Sequence, residues 1–302
     1  RKDTDTKQSM KARVANLLIC RHFNQWIETI DDPKVKKLVE SGTILTGGAI
    51  VTLLTENKVN DFDFYFRDKA TAEAVARYYV AKFKANPPTM FKNGGEVELF
   101  VRVDEDRVRI IAKSAGIVGE TSNQKPYGYF EGDTNPENQD AYIEAAAGDA
   151  EEVAEIETDA KSETEKAKPK FRPLWLTENA ISLSNRTQLV IRFYGEPTDI
   201  HANYDFAHCT NYWTSWERRV VLNADALECI LSRELRYIGS KYPICSMFRV
   251  RKFIQRGWTI TAGQMLKIVW QIKALDLQNF EVLRDQLTGV DVAYFYQLVI
   301  AL

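Results

Sequence analysis

Asp61 and Asp63 stand one residue apart in the run NDFDFYF, and twelve residues separate Asp61 from the Gly47-Gly48 pair of LTGGAIVTLLTE. Alternate residues of a strand point to the same side, so two carboxylates at i and i+2 face one way together. Such a pair supplies the hard oxygen donors that Mg²⁺ takes and commonly shares with substrate phosphates. A glycine pair between a strand and a helix lets backbone approach a phosphate, and the helix start adds a dipole that favours the anion. The chemistry suggested is therefore that of a metal-held nucleotide. The competing reading is a glycine turn followed by a surface strand that happens to carry two acids.

The elements that must position these residues follow from periodicity. Apolar residues from Val14 to Ile30 recur near helical spacing and predict an amphipathic helix over 8–30; a short helix over 33–40 follows Pro33. TILT (43–46) reads as a strand, AIVTLLTE as an apolar helix, and DFDFYF (61–66) as a half-buried strand with Phe62 and Phe64 turned to the core. A helix over 68–85 stops at Pro87-Pro88. VELFVRV (97–103) and RVRIIAK (107–113) bracket a tight Asp-Glu-Asp turn and read as a hairpin. FRPLWLT, AISLS and TQLVIRFYG read as strands, TDIHA as one helical turn and YDFAHC (204–209) as a further strand. Helices are expected over 223–238, 245–256, 261–274 and 279–286, punctuated by Gly239, Gly257 and Gly289.

The glycine turn and the Asp-x-Asp strand resemble the DNA polymerase β nucleotidyltransferase superfamily, most closely the head of class II CCA-adding enzymes and bacterial poly(A) polymerases. The Arg-Asp that follows GGAV there is Val51-Thr52 here. The resemblance implies an α+β fold: a nucleotidyltransferase core of mixed sheet and flanking helices, plus a helical C-terminal domain. The expected division is 1–113 for the first part of the core, 114–172 for an insertion, 173–214 for the rest of the sheet and 215–302 for the helical domain. The resemblance also implies a third carboxylate from a later strand. Asp205, set between apolar residues of YDFAHC, is the candidate; an acid there needs a reason, because burying a lone charge is costly, and a metal would be one, the competing reading being a solvent-facing edge-strand acid or a cap near a strand end. Glu98, Asp104 and Asp106 are the rivals.

A second echo lies in LRYIGSKYPICSMFRVRKFIQRGWTI (235–260), which resembles the class II segment that shapes the nucleotide and RNA pocket. Arg249 and Lys252 share one helical face there and are candidate nucleotide contacts, with Trp258, Tyr237 and Tyr242 as possible stacking partners. A basic helix packed by Phe248 and Phe253 is the competing reading. His208 and Cys209 are set aside as a nucleophile pair, since neighbours on a strand face opposite ways. Trp213 and Trp216 read as core or interface residues. Most of the chain outside the insertion is also similar to uncharacterised nucleotidyltransferase-like proteins of tailed phages, through blocks such as NDFDFYF, YDFAHCTNYW and KFIQRGW.

Composition bounds these expectations. With 302 residues, 45 % of them hydrophobic, the chain can build a sizeable core. No apolar run approaches a membrane span, and the opening residues RKDTDTKQSMK lack the apolar stretch of a signal peptide. Cys20, Cys209, Cys229 and Cys245 form no CxxC pair, which argues against zinc and for a cytoplasmic setting, the host's if the chain is phage-encoded. The formal charge of −2 hides a division: residues 131–170 carry thirteen acids against four bases, leaving a body at +7 that suits a polyanion. The acidic stretch reads as a flexible segment that could mask the basic body; deleting residues 133–170 would then strengthen RNA binding.

The expected activity is transfer of a nucleotidyl group from an NTP to a hydroxyl, with Asp61, Asp63 and Asp205 holding Mg²⁺ or Mn²⁺ and Gly47-Gly48, Arg249 and Lys252 holding the nucleotide. An RNA or tRNA 3′ end is the first acceptor to consider. The alternatives are a protein-adenylylating enzyme with a host protein partner, and a non-catalytic virion component that keeps the fold.

Overall fold

A computed structural model describes residues 2–55, 59, 61–86, 97–114, 170–177, 179–279, 282–283 and 286. The acidic stretch, Pro87-Pro88 and half of the expected 279–286 helix lie outside the described residues.

The chain opens with α1 (Lys2–Ile27) and α2 (Pro33–Gly42). Asp32 starts α2 by accepting from the amides of Lys34 and Val35, with Pro33 in the first turn, where its missing N–H costs nothing. β1 (Thr43–Thr46), α3 (Gly48–Leu54), β2 (Phe62–Phe66) and α4 (Lys69–Ala85) follow, α4 capped by the Asp68 carboxylate on Thr71 N–H. β3 (Val97–Val103) and β4 (Val108–Ser114) form the expected hairpin as a separate two-stranded sheet. β5 (Pro173–Leu176), β6 (Ala180–Leu183) and β7 (Thr187–Tyr194) precede the short α5 (Pro197–His201). β8 (Tyr212–Thr214) and β9 (Arg219–Val221) close the main sheet. Three helices end the described chain: α6 (Ala224–Ser232), α7 (Pro243–Gln255) and α8 (Ala262–Lys273).

The main sheet has seven strands in the order β5-β6-β7-β2-β1-β8-β9. It is mixed: β2 and β7 run parallel, and the other pairs are antiparallel. Register explains how one strand serves two purposes. Trp213, Leu45, Phe64, Leu189 and Ile181 are paired neighbours across five strands, and all five are fully buried. They face α1 and α4, where Phe23, Trp26, Val75 and Tyr79 complete the core. Trp26 stacks on Phe64 at 5.0 Å between ring centres, and its indole N–H donates to the Tyr79 hydroxyl at 2.7 Å. The positions one step along carry Tyr212 beside Thr46 and Asp63 beside Gln188, and by the strand's two-residue period these point away from the core. A second apolar cluster, Phe206, Leu235, Tyr237, Val250 and Ile268, joins α7 and α8 to the segments around Phe206 and Tyr237.

Two expectations need correction. YDFAHC is not a strand: Phe206 makes a single antiparallel bridge to Tyr237, and Ala207–Cys209 then turn as a 3₁₀ helix. Its apolar and polar residues belong to several different neighbours, so their alternation never described one sheet face. The 223–238 helix stops at Ser232, because Arg233 takes a left-handed conformation (φ 53°) and the chain then bridges to Thr259 and Phe206. The sheet also runs on to Val221, past the expected border at 214. Among the described residues no helix is long and apolar enough to cross a membrane.

Candidate functional site

Gly47 lies where β1 turns into α3 with φ +93°, a conformation that a side chain would strain. A Cβ there would sit 3.4 Å from the Tyr204 hydroxyl oxygen and 4.0 Å from Asp63 Oδ2. The glycine turn and the second aspartate are therefore direct neighbours. The space over Gly48 is open, with nothing within 4 Å of a Cβ added there. Gly47 N–H does not face that space freely, since it donates to the Cys209 carbonyl at 3.1 Å. A phosphate at this turn would meet the backbone at Gly48 and not the Gly47 amide.

Asp61 stands exposed just before β2, while Asp63 is half-buried on the strand. Burial and the neighbouring charge of Asp61 push the Asp63 carboxyl up to about 7. Asp61 is also raised, by partial desolvation of its carboxyl, against the opposing pull of Arg186 and Lys252. Among the described residues neither acid forms an ion pair. Two carboxylates held together with no ion-pair partner among the described residues suit a divalent cation with oxygen preference.

Around them runs a buried polar network. The Thr46 hydroxyl donates to the Asn211 carbonyl at 2.9 Å and lies 2.8 Å from His201 Nε2. Burial lowers His201 to about 4, so its ring is neutral at pH 7. Tyr65 and Tyr204 lie side by side with ring centres 6.3 Å apart, both raised well above the usual phenol range by burial.

Asp205 sits elsewhere in this neighbourhood. It is 7 % exposed, and its Oδ2 accepts from Arg249 Nη1 at 2.8 Å. Among the described residues no group of three or more His, Cys, Asp or Glu is arranged to hold a metal, so Asp205 is not brought into one cluster with Asp61 and Asp63. The group that compensates its burial is the Arg249 guanidinium and not the expected shared metal. Asp104 is likewise taken up by Arg102, Arg107 and Arg109 in the hairpin turn, and Asp106 is exposed there. The Glu98 side chain lies outside the described residues.

Arg249 and Lys252 both project from α7. Lys252 acts on Asp61, while Arg249 is bound to Asp205. The aromatic residues near them are not free for stacking on a base. Tyr237 and Tyr242 are buried, and Trp258 packs on the ring of His208 at 4.3 Å. Tyr242 instead takes a hydrogen bond from Arg192. The Cys209 thiol is held well up by burial and by Asp205, which leaves it protonated and poor as a nucleophile; the reason for setting aside His208 and Cys209 is this, since they do not lie on a strand. Trp213 is core, and Trp216 carries the Arg67 guanidinium 4.7 Å above its ring. Sequence reasoning missed Arg186, Thr46, His201 and Tyr204. Only Tyr204 and His201, polar rings flanking a candidate acid, gave any signal.

Fold and site together define an α+β protein with a mixed sheet and a carboxylate pair set against a glycine turn. The chain belongs to the Gabija anti-defense 2 family, whose model matches residues 18–233. That span contains Gly47, Gly48, Asp61, Asp63 and Asp205 and excludes Arg249 and Lys252. A relative described as Gabija anti-defense 2, from Bacillus phage SPbetaL7, is 26 % identical over 100 residues, which is 33 % of this chain and 25 % of the relative. The matched part thus spans about a quarter of that relative's length. Among solved structures, the Thermotoga maritima CCA-adding enzyme complexed with tRNA is similar at 10 % identity and TM-score 0.38, over 82 % of this chain and 44 % of that one.

Proposed function

We propose that this protein is a metal-dependent nucleotidyltransferase through which a phage counters the Gabija defence of its host. The observation that carries this reading is Asp63: half-buried, next to Asp61, within 4.0 Å of the Cβ position of Gly47, and without an ion pair among the described residues. Asp61 and Asp63 would hold Mg²⁺ or Mn²⁺. A bound divalent cation supplies charge neutralisation for the phosphates of an NTP and for the oxygen that attacks them. Gly47 makes room for the nucleotide by carrying no side chain, and Gly48 offers the open stretch of backbone. Lys252 and Arg186 lower the negative field at Asp61, so that the approach of a polyphosphate is not opposed by the aspartate pair alone. The acceptor is a hydroxyl on RNA, a tRNA end or a protein of the defence system.

The test is incorporation of α-labelled NTPs by the purified chain, with Mg²⁺ or Mn²⁺, into host RNA and into Gabija proteins in separate reactions. Label in either pool that disappears in Asp63→Ala supports the reading, and the labelled pool identifies the acceptor. Absence of both label and NTP binding in the wild type ends it.

A second reading rests on a different observation. Leu266, Val269 and Trp270 are 45 %, 48 % and 62 % exposed on α8, an apolar face suited to binding a partner without chemistry. If Asp63→Ala retains full protection of a phage against Gabija in infected cells, docking and not catalysis is the activity.

A further inference from the structure

We propose that Arg186 is a positioning residue for the carboxylate pair: it braces the chain on both sides of Asp61, and the affinity of Asp61 and Asp63 for a divalent cation depends on that brace. This rests on the pair being a cation site and gives a role to a residue that is not one of the ligands.

The brace is made of two hydrogen bonds from one residue. The Arg186 carbonyl accepts from the N–H of Phe62, the residue after Asp61, at 2.7 Å. The Arg186 guanidinium reaches to the other side, where Nη1 donates to the carbonyl of Val59, two residues before Asp61, at 3.0 Å. The sheet register agrees with this placement. β2 and β7 run parallel with Phe62 paired to Thr187 and Asp63 to Gln188, so one step back along both chains sets Asp61 alongside Arg186.

The turn that carries Arg186 is itself fixed. It joins β6 to β7 through Ser184, Asn185 and Arg186, between the paired Leu183 and Thr187. The Thr187 hydroxyl donates to the Asn185 carbonyl at 3.2 Å and, with its one proton spent there, accepts from His22 Nε2 at 2.8 Å. The His22 ring in turn stacks on Phe62 at 3.9 Å between ring centres. Helix α1, the turn and the first residue of β2 therefore hold one another.

Backbone conformation points the same way. Asn185 and Arg186 are both left-handed, at φ 63° and 53°. Asparagine tolerates that region and glycine takes it freely, but an arginine there is strained. Such strain persists where the surroundings enforce it, and it concentrates at functional sites. Glycine would relieve the turn and would lose the contact to Val59.

A brace and a bare charge predict opposite signs. A guanidinium acting only through its charge repels a cation bound at Asp61, so its removal would tighten binding. Removal of a brace lets Asp61 leave its place beside Asp63 and weakens binding.

The experiment uses the full chain with Mn²⁺ alone, followed by the electron paramagnetic resonance signal of the free ion, and thermal melting in EDTA as the check on folding. Arg186→Gly and Arg186→Met are expected to weaken Mn²⁺ binding about tenfold each. Arg186→Lys, which keeps a donor and the charge, should stay within about threefold of wild type. Arg186→Gly should melt within about 3 °C of wild type, because relief of the left-handed strain offsets the lost hydrogen bond. Unchanged or tighter Mn²⁺ binding in Arg186→Gly and Arg186→Met overturns the proposal and leaves the carboxylate pair standing. Failure of Arg186→Lys to recover binding relative to Arg186→Met also overturns it, since the brace to Val59 needs one donor. So does weaker binding in Arg186→Gly that comes with a melting temperature about 10 °C or more below wild type, which would make the arginine a support of the whole fold. Wild type that binds no Mn²⁺ removes the cation site and this proposal with it.

Discussion

Asp63 and Asp205 are two aspartates withdrawn from water in one neighbourhood, close enough that both act on the Cys209 thiol, and the fold treats them oppositely. Asp205 is given a guanidinium at 2.8 Å. Asp63 is given a second carboxylate, Asp61, and its affinity for a proton rises accordingly. A stability criterion alone would neutralise both, since an uncompensated buried carboxylate works against folding. The difference teaches that burial alone does not decide whether an aspartate of this fold receives a countercharge within hydrogen-bond reach.

The largest expected effect falls on the uncompensated side. Asp63→Ala should lower nucleotidyl transfer by at least about a thousandfold in a label-incorporation assay. The same variant, melted in EDTA, should be as stable as wild type or more so, because it removes an unpaired charge. Marked destabilisation would show that Asp63 has a structural partner, and the contrast with Asp205 would collapse. Next in size is the compensated side. Arg249→Ala should cost about 2 kcal/mol in urea unfolding, below the 3–5 of a fully buried pair because the arginine is half-exposed. Adding Asp205→Asn should recover part of that loss, whereas additive costs would mean that the two side chains do not depend on each other. Gly47→Ala should cost about 1–2 kcal/mol, from φ +93°, measured by the same unfolding curves.

A further effect is a dependence on pH. In metal-free protein the folded Asp63 titrates about 7, above its ordinary value of 3.8, so its cost is full above pH 7 and fades as pH falls toward 4. His22, His201 and His208 act the other way. Burial lowers each to about 4, so each contributes stability above its ordinary 6.5 that is lost as pH falls toward 4. The net curve mixes the two, but the gap in unfolding midpoint between Asp63→Asn and wild type isolates the aspartate. That gap should shrink between pH 8 and 5, and a constant gap would place Asp63 in an ordinary carboxylate environment.

Much of this was legible before any coordinates. The Gly47 turn, β2, α4, the 97–114 hairpin and the three strands from Pro173 to Tyr194 all stand where periodicity put them, because each has one dominant face and clear stop signals. YDFAHC failed for the opposite reason. Phe206 packs in the second cluster, His208 lies on Trp258, and Asp205 turns to Arg249, so six residues answer to several neighbours and none sets a period. The aromatic rings around α7 failed likewise: Tyr237 and Tyr242 look free in sequence and are buried in the fold.

The sequence by itself determined that Asp63 lies on a strand with Asp61 at its start and that a glycine turn precedes them, since strand period and backbone freedom are local properties. Only the tertiary structure decided that the turn and Asp63 touch, that Asp205 is claimed by Arg249 from 44 positions away, and that Gly47 N–H is already spent on Cys209. Those outcomes depend on which charges and hydrogen-bond donors arrive within about 3 Å of each other, and no spacing along a chain encodes that.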